Sequence, residues 1–333
     1  MDTSIHFNRN ARGKREKNST KLINAFMIQS NQKHKSRNVS RETSHRKRGS
    51  KKRSARGKRV LLGVLLLLAA LNVVSLVDAT VRTRSADVAI PDLPSSFDGF
   101  RILYISNPNV STLNGLGRFR RMCGQLSALR PNAVVVTGAL RAQNPLSGLL
   151  NPDFSDMEFY KALSGCLDQL QTPNAWIVRG SADADQPALT QALAESTVKP
   201  LCGSGTRIEI GGDALYIAGA APDENDQNEL ARQFQRDDCV LCFSERSDIR
   251  QALEICEAAD GGRWFDLLCT GPGTPGRLLI AEHTFEYQKG SGASPGWYDE
   301  TYPILVSTGT AAGIFQRSPL SRAEVWLLTL RRP

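Results

Sequence analysis

The sequence predicts an α/β domain with a large, buried, partly mixed β-sheet, held behind a basic tail and one membrane-spanning segment. Three observations predict it. Short apolar runs alternate with helical patterns from about residue 100 onward, with extra strands late in the chain. Charge is split sharply near residue 60. One long run without charge separates the two regions.

Residues 1–59 hold 19 Lys/Arg against Asp2, Glu16 and Glu42, a net of +16. They lack apolar periodicity, apart from "LINAFMI" at 22–28, so this stretch reads as a disordered tail. Met27 is an alternative start that would lose nothing foldable. Positions 60–333 carry 23 Lys/Arg and 30 acids, a net of −7, so the basic overall balance belongs to the tail.

Val60 to Val77, "VLLGVLLLLAALNVVSLV", has no charge and falls within the roughly 17–25 residues that cross a bilayer core. Positions 60–78 therefore read as a transmembrane helix. Nine Lys/Arg lie in 46–59, whereas Arg82 and Arg84 alone follow closely after the run. The positive-inside bias places the N-terminus in the cytoplasm and the body outside, anchored in the cell membrane. The rival is a cleavable signal peptide, since Val77-Asp78-Ala79 loosely fits a cleavage site; the basic region 1–59 before it is too long for most. The tail itself has a plain role as topology determinant and a sharper one on anionic lipid headgroups. Nucleic acid is disfavoured as a partner, because no aromatic residues interleave with the charge.

Residues 79–92 read as a linker and 93–333 as the folded domain. Strand candidates are 101–106, 133–137, 175–179, 206–210, 214–218, 239–243, 265–269, 304–307 and 325–330. Helical patterns cover 115–129, 157–170, 187–196, 225–236 and 246–258.

Chemistry-bearing residues are scarce. His283 is the one histidine after residue 59, which limits metal and acid–base chemistry, and it reads as a surface or satisfied strand-end residue. The seven Cys all follow residue 100, several within apolar runs, and read mainly as buried thiols. Cys239 and Cys242 form a C-x2-C without a second pair, and on a strand they face opposite sides. No Gly-x-Ser-x-Gly elbow and no Gly-Lys-Ser/Thr phosphate loop occurs. "GPGTPG", 271–276, passes for a phosphate loop, yet no helical start follows it. Asp183, Asp185, Glu245 and Asp248 are carboxylates that would suit a weak Ca²⁺ or Mg²⁺ site at best.

The strand ends, in order, are "YISNPNV" (104–110), "VVTGAL" (135–140), "IVRGSADAD" (177–185), "VLCFSERSDI" (240–249), "LLCTGPGTPGRL" (267–278) and "ILVSTGTAAGIFQRSPLSRAEVWLLTL" (304–330). Taken together, across about 90–333, they resemble the calcineurin-like metallophosphoesterases, in particular their membrane-associated bacterial branch. The resemblance implies two packed mixed sheets flanked by helices, a four-layer sandwich holding two metal ions that hydrolyse phosphoesters.

It also implies where the ligands would stand. The family's Ser-Asp-x-His is here Ser106-Asn107-Pro108-Asn109; its Gly-Asp is Gly138-Ala139; its Gly-Asn-His-Asp is Gly180-Ser181-Ala182-Asp183. Its next His falls at Ser244, uncertain by about a residue, and its Gly-His-x-His-Gly-Gly becomes Gly271-Pro272-Gly273-Thr274-Pro275-Gly276. Two neighbouring dications need anionic and imidazole ligands. Asn107, Asn109, Ala139, Ser181, Ser244, Pro272 and Thr274 supply neither. The family's general acid is replaced by Ala182, and Asp183, which would serve it, reads as a turn or cap residue.

The expectation is a membrane-anchored, extracytoplasmic metallophosphoesterase-like protein without metal cofactors or catalytic residues, acting by binding a protein or envelope component. Enzymatic status stays open, leaning to none. The alternative is a divergent hydrolase with a non-standard metal site acting on phosphoesters near the membrane. A third reading is a scaffold whose business is the basic tail.

Overall fold

The structure is a computed structural model that describes residues 61–63, 66, 81–110, 115–141, 155–181, 183, 186–220, 224–272, 277–280, 283–286, 295–299, 302–310 and 323–333. The tail 1–59 lies outside the described residues. So does most of the apolar run, of which Leu61, Leu62, Gly63 and Leu66 are helical and exposed. Among the described residues no helix is long and apolar enough to cross a membrane.

Fourteen strands are described. The first sheet begins with β1 (Arg82–Ala89), β2 (Arg101–Ser106), β3 (Ala133–Thr137), β4 (Ala175–Val178) and β5 (Val198–Leu201). The chain then builds β6 (Ser204–Ile210), β7 (Asp213–Gly219), β8 (Val240–Ser244) and β9 (Leu267–Thr270). A two-stranded hairpin of β10 (Arg277–Ile280) and β11 (His283–Glu286) follows, then β12 (Gly296–Asp299) and β13 (Pro303–Val306). Strand β14 (Glu324–Arg331) returns to the first sheet.

The first sheet has the order β1-β14-β2-β3-β4-β5 and the second β12-β13-β9-β8-β7-β6. Each has four parallel strands at its heart, β2 to β5 in one and β7, β8, β9 and β13 in the other. Antiparallel neighbours make both sheets mixed: β14 in the first, β6 and β12 in the second. Parallel strands covered on both faces must be apolar throughout, which is why "AVVVT" and "VLCFS" are buried at every position.

Alternation along each strand sorts residues into layers. Ile102, Tyr104, Val135 and Trp176 of the first sheet pack against Leu215, Ile217, Leu241, Phe243 and Leu305 of the second. Leu103, Ile105, Val134 and Val136 face the other way, onto α1 (Gly115–Leu126), α2 (Asp156–Leu167) and α3 (Gln186–Leu193). The outer face of the second sheet takes α4 (Glu224–Ala231) and α5 (Arg250–Ile255) with Trp264 and Phe265. The fold is therefore α/β, two mixed sheets packed face to face and flanked by helices. A fully buried side chain such as Phe243 contributes about 1.5–3 kcal/mol.

Local chemistry fixes the helix ends. Ser155 and Glu158 form a reciprocal capping box at the start of α2, with Ser155 Oγ accepting from Glu158 N at 3.2 Å. The helical pattern 246–258 shortens to a 3₁₀ turn at Ser247–Ile249 followed by α5, which ends where Cys256 turns extended at φ −73° and ψ 149°. Trp264 Nε1 then donates to Leu253 O at 2.9 Å, satisfying a terminal carbonyl.

The linker expectation needs correction. Residues 79–92 are not simply a linker, since 82–89 form β1, paired in parallel with β14 over its whole length. It is the outermost strand, exposed at Arg82, Thr83, Arg84 and Ser85, so its polar sequence lacks the apolar signal of a buried strand. Strand β5 (VKPL) is likewise absent from the sequence expectations; it is an edge strand that tolerates Pro200. Cys239 lies between the sheets and Cys242 on the outer side of β8, opposite faces as the C-x2-C spacing requires. The seven thiols are free, and burial pushes those of Cys123, Cys239, Cys242 and Cys269 up, keeping them protonated.

Candidate functional site

The C-terminal ends of the parallel strands in both sheets lie along one edge of the sandwich. Ser106, Thr137 and Val178 end β2, β3 and β4 in register, and Ser244, Thr270 and Val306 end β8, β9 and β13. The described positions singled out from the strand-end blocks fall at these residues or in the turns just beyond them. Ala182 and Thr274 lie outside the described residues, as does Asp185.

The first sheet contributes unusual backbone. Asn107, Asn109 and Ala139 adopt φ of 43°, 44° and 30°, and Gly138 adopts 33°. Non-glycine residues there store strain that surrounding contacts must hold. Asn107 N donates to Thr137 O at 2.8 Å and Asn109 N to Ala139 O at 2.8 Å, locking the two turns side by side. Asn107 is 8% exposed, and its Oδ1 has no hydrogen-bond partner among the described residues. Thr310 ties the same edge down from the far end of the chain, donating from N and Oγ1 to Ser106 O at 2.7 and 2.8 Å.

Asp183 acts as a staple. Its Oδ2 accepts from Gly180 N at 2.9 Å and its Oδ1 from Leu140 N at 2.8 Å, joining the turns after β3 and β4. Burial of the carboxyl pushes its pKa up to about 7; the backbone N–H groups oppose that rise, and the charge of Glu245 adds to it.

The second sheet contributes a side chain. Ser244, the expected match for a ligand, is buried, and its carbonyl accepts from Gly271 N at 3.1 Å. The next residue, Glu245, is 7% exposed and reaches across to the first sheet, where Oε2 accepts from Ser181 N at 2.6 Å. A Cβ on Gly138 would stand 2.0 Å from Glu245 Cγ, and one on Gly180 would stand 2.6 Å from Glu245 Cδ. A Cβ on Gly271 would meet Asn107 Oδ1 at 2.0 Å and Glu245 O at 2.1 Å. These three glycines are therefore needed where they stand: they leave the room that Glu245 and Asn107 fill.

Of the four carboxylates considered for a cation site, the structure brings Asp183 and Glu245 together. Asp248 instead pairs with Arg246, whose Nε donates to Asp248 Oδ1 at 2.8 Å. Among the described residues no group of three or more His, Cys, Asp or Glu gathers to hold a metal. The donor set at the strand ends does not suit two dications. Asn107 offers a neutral amide oxygen, Ala139 a methyl group, and Pro272 packs its ring 3.4 Å from the position a Cβ on Gly309 would take. Asp183 and Glu245 already accept backbone N–H bonds. His283 sits in the hairpin register opposite Ile280.

Glu245 is the site residue that sequence reasoning underweights. The available signal is a charged residue directly after five consecutive buried strand positions, one place from the Ser244 match. No protein-family model matches this chain, and no curated protein matches it either.

Proposed function

We propose that this chain is a membrane-anchored, metallophosphoesterase-like domain whose site works by binding rather than by hydrolysis. The four-layer sandwich, the anchor at 60–78 and the extracytoplasmic placement belong to this proposal. The observation that carries it is Glu245, which crosses from the second sheet into the space between Gly138 and Gly180 and takes up the Ser181 N–H. The N–H bond at 2.6 Å engages Oε2, one of the two oxygens that a metal would use. The neutral side chains of Asn107, Asn109 and Ala139 leave a second dication without an anionic ligand.

A site of this kind offers a partner a rigid, polar edge. Its turns are fixed by hydrogen bonds between sheets, so little ordering entropy is spent on binding. The chemical class it favours is a neutral or hydrogen-bonding group of an envelope component or protein, since the Glu245 carboxylate disfavours an added anion.

The test uses the full chain purified in detergent, incubated with Mn²⁺, then measured for bound metal and for hydrolysis of an aryl phosphodiester. The expected result is no stoichiometric metal and no turnover above that of Glu245→Ala. Stoichiometric metal, or turnover lost in Asp183→Asn, favours the divergent hydrolase instead.

A further inference from the structure

The chain enters the folded domain at the same edge that carries the site. Arg82 pairs with Glu324 in the register of β1 and β14. Extending the register of β14 and β2, Trp326 with Tyr104, brings Glu324 opposite Ser106. Arg82, Glu324 and Ser106 thus form one row across three strands, and Asn107 is the next residue. At about 4.8 Å per strand, the turn after β2 lies roughly 10 Å from the entry point and the turn after β3 roughly 15 Å.

Five residue steps separate Val77, the last of the apolar run, from Arg82. Fully extended, they reach about 17 Å. The end of the apolar run at Val77 therefore lies no farther than about 17 Å from Arg82, the residue by which the chain enters the edge that carries the site.

The same edge displays the one accessible tryptophan. Trp297 is 37% exposed, whereas Trp176, Trp264 and Trp326 are 4%, 1% and 7% exposed. Trp297 lies one residue along β12 from Gly296, which pairs with Val306 at the site edge of the second sheet. Its ring meets Trp326 edge to face at 5.8 Å, and Arg84 lies over Trp326 at 5.5 Å. Buried Glu324 fixes this group, bound to Arg84 Nε at 2.8 Å and Trp326 Nε1 at 3.0 Å. A half-exposed indole on a rigid base that includes Arg84, with Arg82 at the start of the same strand, has the composition of a membrane-interface anchor.

We propose that this edge docks on the lipid–water interface, with Trp297 entering the headgroup layer and Arg82 facing lipid phosphates, so that the site opens toward the membrane surface. The inference rests on reading residues 60–77 as the anchor. It makes the partner of the site a group present at the membrane surface.

The full chain is reconstituted in nanodiscs of phosphatidylglycerol and phosphatidylcholine, with or without acyl chains brominated near the glycerol. Brominated lipid is expected to quench tryptophan fluorescence, and Trp297→Phe to remove more than half of that quenching. Arg82→Glu, or a long flexible Gly/Ser spacer inserted after Val77, is expected to weaken it. A chain that enters the discs but shows no quenching, or equal quenching in Trp297→Phe, overturns the docking alone. Failure to enter the discs overturns the anchor reading and the docking together. Shielding of Trp297 in native membranes but not in lipid discs identifies a protein partner and overturns the lipid one.

Discussion

The two sheets meet at one edge but bring different things to it. The first supplies backbone: turns with positive φ at Asn107, Asn109, Gly138 and Ala139, and the N–H groups of Gly180 and Ser181. The second supplies an occupant, since Glu245 reaches out from the end of β8 while Ser244 and Gly271 hold its base. The shape of these turns and the group that fills them thus come from different sheets. A carboxylate fills the space, and a side chain on Gly138 or Gly180 would collide with it.

The strongest response is expected at the point of contact between the two contributions. Gly138→Ala places a Cβ 2.0 Å from Glu245 Cγ at a φ of 33°, and should cost about 3 kcal/mol in denaturant unfolding of the full chain in detergent. Adding Glu245→Gly should restore part of that loss, because Glu245 Cγ at 2.0 Å and Cβ at 2.2 Å are both removed while the backbone strain persists. No recovery in the double variant breaks the view that Glu245 is the occupant.

The next effect is on pH dependence. Asp183 holds its proton up to about pH 7 in the folded state, against an ordinary value of 3.8 when unfolded. The folded state binds the extra proton between these values, so its contribution to stability is full below about pH 4 and is lost as pH rises through 7. Asp266 behaves alike up to about pH 6, raised by burial although it accepts from Val240 N at 2.8 Å. Asp183→Asn should flatten the slope between pH 6 and 7, by at most about 1.4 kcal/mol per pH unit, and leave the lower part to Asp266. An unchanged slope would mean that the staple between the turns of the first sheet is not titrating.

A subtler variant isolates charge from shape. Glu245→Gln keeps the volume but removes the charge, at a cost of about 1 kcal/mol from the weakened Ser181 N–H bond. It should also lower the pKa of Asp183, because the repulsion from Glu245 is one of the causes raising it. A carbon-13 titration of the Asp183 carboxyl reads this directly. A pKa that stays where it is would show that the two sheets' carboxylates do not sense each other.

Periodicity and local caps make much of the fold legible before any contact is known. Buried parallel strands such as β3 and β8 declare themselves because both faces must be apolar, and α2 because Ser155 and Glu158 cap it locally. The lack of carboxylate and imidazole at positions 107, 109, 139 and 272 is likewise a property of the sequence. Which groups meet is settled by the assembled sheets. Edge strand β1 gains its order from pairing with β14, at the far end of the chain, so its own residues carry little apolar signal. Glu245 reads locally as the first residue of a polar turn. Its role depends on Gly138 and Gly180 leaving room in the opposite sheet, a long-range fit that neither propensity nor periodicity encodes.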